Sequence, residues 1–205
     1  MSAFVVEIVL VVATLGFRAL GALGARRFAT WPASAAHGMA VMLVVTATAH
    51  FVPAGVTVMP NHADMVRMVP PIVPFPGAVV YATGVLELLG AAGLVVAATR
   101  RAAGIGLTAL YVLLLPANVY AAVADVPFGG DEATPLWIRI PEQILYIAVA
   151  LWAAGTIPGY GPGRAGAQER HGHRPDFRAA RAHLSRRTPG SARTQSPHMP
   201  PSGRR

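Results

Sequence analysis

The sequence predicts an all-α protein, a polytopic transmembrane helical bundle with five spans. Three observations carry that prediction. Only 13% of its 205 residues are charged and 54% are hydrophobic, whereas a soluble domain carries about 25% charged residues. So little charge cannot cover a water-facing surface. Five stretches, at about 3–23, 35–52, 77–98, 102–124 and 137–157, are apolar over roughly the 20 residues that cross a bilayer. The arginines fall between these stretches with a consistent bias, as the positive-inside rule requires of a membrane protein.

The first stretch holds Glu7 and Arg18 and is followed by Arg26 and Arg27. A cleavable signal has its positive charge ahead of the apolar run, so this stretch reads as a retained span. Arg100 and Arg101 separate the third and fourth spans, and ten arginines follow the fifth. These three groups share one side of the membrane only if there are five spans. The opposite side receives Arg67 and Arg139 with Asp64, Asp125, Asp131 and Glu132. The expected location is the plasma membrane, with the N-terminus outside and the C-terminus in the cytoplasm.

Two connectors on the outer side have readable structure. The segment after the second span carries Pro53, Pro60, Pro70, Pro71, Pro74 and Pro76, which break helices and remove backbone donors. Between Pro60 and Pro70 the run NHADMVRM allows a short helix with Asn61 as N-cap, and Met65, Met68 and Val69 are expected to face the membrane. The connector DVPFGGDEATPL is acidic and rich in turn residues. Trp31, Trp137, Trp152 and Tyr160 fall near span ends, where amphipathic rings prefer the interface.

The domain division is 1–157 for the helical unit and 158–205 for an Arg-rich tail. Residues 1–156 hold seven arginines and seven acids, so the whole net charge of +8 belongs to the tail. The basic character therefore does not indicate a nucleic-acid-binding fold. With almost no aliphatic side chains to bury, the tail is expected to be disordered, and its arginines suit contact with anionic lipid. His171 and His173 are not joined by further converging ligands, so no metal site is expected. There is no cysteine, which excludes disulfides and thiolate chemistry carried by this chain.

Ionisable and polar groups inside spans are costly and face a bundle interior. Glu87 lies near the middle of the third span, with Gly84, Gly90 and Ala91 three or four residues away on the same helical face. Small residues there admit a neighbouring helix. In the fourth span Gly104, Thr108, Tyr111, Leu115, Asn118, Ala122 and Asp125 recur at spacings of three and four, giving a polar face, and Pro116 removes a backbone donor within it. The second span contributes Thr46 and His50, and the fifth begins with Arg139, Glu142, Gln143 and Tyr146. His50, Glu87, Tyr111, Asn118, Glu142 and Gln143 are thus expected to line a ligand-binding pocket opening outward. The competing reading of these groups is interhelical hydrogen bonding, at about 0.6 kcal/mol each. Haem is not expected: His37 and His50 lie far apart on one helix, and His62 is in a loop.

An ordered set of short motifs also resembles a known family. HF at 50–51, MVP at 68–70, FPG at 75–77, GVLELLGAAGL at 84–94 and PANVYAA at 116–122 occur in an order similar to that of the DoxX-like small bacterial membrane proteins. The resemblance covers about 35–151. It implies a four-helix membrane unit, here the second to fifth spans, with the first span and the tail as additions. It also implies an accessory, non-catalytic membrane subunit, redox-linked and able to bind quinone, with membrane oxidoreductase subunits as partners beside the lipid bilayer. The alternatives from other classes are a small-molecule or proton-coupled transporter and an interaction scaffold.

Overall fold

A computed structural model describes residues 4–155. The expectations for Tyr160, the HGH pair and the Arg-rich tail lie outside the described residues. Among those described there are six α-helices and no strand: α1 Val5–Ala22, α2 Trp31–Ala47, α3 His62–Arg67, α4 Pro76–Val95, α5 Arg100–Val123 and α6 Leu136–Ala153. Five of them, all but α3, are long and apolar enough to cross a membrane.

Four helices form a closed ring. α2 packs on α4, α4 on α5, α5 on α6, and α6 returns to α2, while α1 lies along α2 outside the ring. α2 is the most enclosed, with Ala36, Met39 and Leu43 wholly inaccessible. A helix that is apolar all round belongs in such a centre. Met39, Leu43, Leu94, Leu107, Leu110 and Ala150 fill the ring's interior in one cluster.

The predicted spans are recovered with instructive shifts. α2 begins four residues earlier than expected, because Thr30 caps it by accepting from the Ala33 N–H at 3.4 Å and Pro32 sits in the first turn, where its missing donor costs nothing. One tight 3₁₀ turn, Thr48–His50, extends it. In α4 the buried positions are Val80, Gly84, Glu87, Ala91 and Leu94, the face read from the sequence. The face of α5 is rotated from the expected one. Leu107 and Ala121 are buried beside Gly104 and Tyr111, whereas Thr108 donates to the Gly104 carbonyl at 2.9 Å and is satisfied within its own helix. Asp125 falls beyond the helix end, at a positive φ of 47°.

The two long connectors, after α2 and after α5, have defined structure. Asn61 caps α3 by accepting from Ala63 and Asp64, and Asp64 accepts in return from the Asn61 N–H at 3.2 Å, a reciprocal capping box. Arg67 pairs with Asp64. Met68 does not face the membrane: it is buried, because the cap fixes α3 with that side chain turned onto the ring. Asn61→Ala is expected to lower stability by about 1 kcal/mol, read as a fall in melting temperature in detergent. In the second connector Phe128 and Asp131 exchange backbone hydrogen bonds of 3.1 and 3.2 Å around Gly129 and Gly130, both at positive φ, as a tight two-residue turn needs.

Candidate functional site

His50, Glu87, Tyr111, Asn118, Glu142 and Gln143 come together at the end of the ring nearest α3. Glu87 is only 6% exposed. Its Oε2 accepts from the Thr46 hydroxyl at 3.4 Å and its Oε1 lies 3.5 Å from His50 Nε2. The tautomer of His50 follows from its other nitrogen. Nδ1 is 2.7 Å from the Val80 carbonyl oxygen, which can only accept, so Nδ1 carries a proton. Nε2 and Glu87 Oε1 would then present lone pairs to each other unless a proton lies between them. A hydrogen bond across this contact would require one proton, on the ring or on the carboxyl.

A second chain of hydrogen bonds crosses from α6 to α5. Arg139 Nη1 donates to Asn118 Oδ1 at 3.3 Å, Asn118 Nδ2 donates to Gln143 Oε1 at 3.0 Å, and Gln143 Nε2 donates to the Tyr111 carbonyl at 2.6 Å. That carbonyl is one residue before Val112, the carbonyl that Pro116 leaves without its helical donor. Gln143 thus braces α5 within the turn that Pro116 interrupts. Each member fixes the orientation of the next, so the two amides cannot flip without breaking the chain.

These groups line two adjoining cavities. An inner chamber of about 170 Å³ holds Glu87, Tyr111, Asn118, Gln143, Met65 and Met68 in its wall. An outer cavity of about 780 Å³ is lined by Glu7, Asp131, Glu132 and the start of α6. Thr46, Phe128, Arg139, Glu142 and Tyr146 line both, so the two cavities adjoin across these side chains. Below them the apolar cluster closes the interior.

The sequence reading passed over Glu7. It sits on α1, outside the ring, yet accepts a hydrogen bond from the Tyr146 hydroxyl. A carboxyl inside an apolar span is a functional candidate by default, and that signal was available. Glu7 Oε2 and Arg139 Nε are both buried without a protein partner. Buried polar atoms are nearly always satisfied; these two, like Arg18 Nε on α1, have no hydrogen-bond partner among the described residues. No group of three or more His, Asp or Glu side chains is placed to hold a metal among the described residues. His62 is engaged elsewhere, donating from Nδ1 to the His50 carbonyl at 2.8 Å and stacking on Tyr81.

A family model described as a domain of unknown function, DUF8561, matches residues 39–154. The chain belongs to this family. The match runs from within α2 through α6 and so includes the whole polar site except Glu7. α1 lies outside the matched region, as does the Arg-rich tail. No curated protein matches the chain, and no solved structure does.

Proposed function

We propose that this member of the DUF8561 family is a multi-pass protein of the plasma membrane, N-terminus outside, that serves as an accessory ligand-binding subunit in a DoxX-like, redox-linked membrane assembly. Its ligand is a small molecule with a polar head, and a quinone headgroup is the candidate. The observation that carries this reading is the buried Glu87–His50 contact in a polar chamber that adjoins the cavity at the loop end of the bundle. A structural role alone does not call for such a chamber, nor for the orphaned atoms of Glu7 and Arg139 beside it.

The chemistry suits such a head. Arg139 and Asn118 supply donors for carbonyl oxygens, and Glu7, Glu87 and Glu142 supply acceptors for hydroxyls. A bound quinone would supply redox chemistry; the chain's own residues bind and orient the head, and the Glu87–His50 contact is placed to share one proton next to it. Such a shared proton also favours the second reading, a proton-coupled transporter.

Lipid extraction of the purified protein is expected to yield a stoichiometric quinone. Extracts without it, from a protein that also co-purifies with no oxidoreductase subunit, would remove the leading reading. The orientation has its own test. A fluorescent protein fused after Arg205 is expected to fluoresce, and alkaline phosphatase fused there to be inactive. The opposite pair of results would place the arginines outside.

A further inference from the structure

A third cavity lies against the site on its lipid-facing side. It is a cleft of about 340 Å³ between α4 and α5, walled by Val69, Val73, Val79, Leu113 and Ala117. Its volume falls at the lower end of ordinary ligand pockets. Leu113 at its rim is 75% exposed, which puts the mouth on the outer surface of the ring and not at the loop end. His50, Thr83 and Asn118 form its polar inner wall.

The cleft and the inner chamber share a partition. Met65, Met68, Leu114 and Asn118 line both. We propose that the cleft receives the apolar chain of an amphipathic, lipid-soluble molecule whose polar head lies in the chamber at Asn118 and Glu87, and that this molecule enters sideways from the bilayer. The inference rests on the ligand-binding reading above and adds the ligand's shape and its route.

Two features of the partition point to that occupant. Methionine side chains have three rotatable bonds and fill irregular space, so movement of Met65 and Met68 joins an apolar compartment to a polar one without moving a helix. Asn118 stands at the junction. Its amide nitrogen has two N–H bonds, one of which is given to Gln143, leaving the other for a head group. On the cleft wall the Thr83 hydroxyl donates to the Val80 carbonyl at 2.9 Å and lies 3.3 Å from His50 Nδ1, so it holds His50 in place beside the cleft. A molecule lacking an apolar chain would leave the cleft to bulk lipid, and one lacking a polar head would leave the chamber's donors and acceptors unmatched.

The test uses the full chain in lipid nanodiscs and two photoreactive probes. One is an alkyl hydroquinone with a diazirine in its chain; the other is a phosphatidylcholine with the same diazirine. The hydroquinone is expected to label residues 65–79 and 113–117 saturably. Ala117→Phe, which fills the cleft, is expected to reduce that labelling about tenfold, equivalent to about 1.4 kcal/mol. Leu113→Trp at the exposed rim narrows the mouth without touching the core and is expected to do the same. The phospholipid should label without saturation and equally in both variants. Unsaturable labelling by both probes, indifferent to either variant, would mean that the cleft holds bulk lipid, and would overturn the inference.

A chainless hydroquinone separates this failure from that of the chamber. If it binds in a Glu87-dependent way and Ala117→Phe and Leu113→Trp change nothing, the chamber reading stands and the lateral route falls. If Glu87→Gln leaves the binding of both hydroquinones unchanged, the chamber reading itself falls.

Discussion

Glu87→Gln is expected to cut retention of the bound ligand by about ten- to a hundredfold, with only a few degrees lost in melting temperature. The reasoning starts from size and shape. Gln occupies the volume of Glu, so the packing of α4 against α2 is kept, and its amide can still meet Thr46 Oγ1 at the 3.4 Å contact. What it cannot do is share a proton with His50 Nε2 across the 3.5 Å contact or accept through a charged oxygen. Hydrogen bonds to charged groups contribute about 1.5–3 kcal/mol, and each 1.4 kcal/mol is about tenfold in affinity. If Glu87 were only interhelical glue, worth about 0.6 kcal/mol, both retention and stability would change less than threefold. The measurement is the amount of extractable ligand per protein beside the melting temperature of the same sample. Equal ligand in the variant and the parent would defeat the functional role of Glu87. His50→Gln should repeat the loss, because it removes the other half of the same contact.

Much of this site was legible because membrane interiors make polar residues conspicuous. Glu87, Tyr111, Asn118 and Gln143 stood out against apolar spans, and helical spacing alone put them on inward faces. The face of α4 was read correctly because Gly84 and Ala91 mark it on both sides of Glu87. The face of α5 was misjudged by about one position. Thr108 counted as polar in the pattern, but it is satisfied by its own helix at the Gly104 carbonyl, and a pattern cannot distinguish a self-bonded hydroxyl from one that faces a partner. Met68 was given to lipid because a short helix between prolines carries no periodicity long enough to show which side is covered. The capping box that orients it requires the folded connector. Glu7 was missed for a different reason. Its place in an apolar span marked it as a candidate, but its partner Tyr146 is on the last helix, and no local spacing connects two residues at opposite ends of the unit.

A large stability effect is expected at Gly84, the tightest glycine of the site itself. A Cβ built there lies 2.6 Å from His50 Cβ and 2.8 Å from His50 Cγ, well inside van der Waals contact. His50 cannot swing aside, because its Nδ1 is tied to the Val80 carbonyl at 2.7 Å and its main-chain carbonyl accepts from His62 at 2.8 Å. Gly84→Val must therefore push α4 away from α2, and overpacking of this kind costs about 1–3 kcal/mol. The displacement would also lengthen the His50–Glu87 contact, so ligand retention should fall together with stability, unlike the pattern for Glu87→Gln. Gly106 supplies the opposite case. It lies inside α5 with no atom within 4 Å of the position its Cβ would take. Gly106→Ala is expected to be neutral or to stabilise by up to about 1 kcal/mol through helix propensity. Unfolding of both variants in detergent, followed by helical circular dichroism, measures the difference. If Gly84→Val melts no lower than Gly106→Ala, then α4 and His50 are not in the close contact on which the geometry of the site depends.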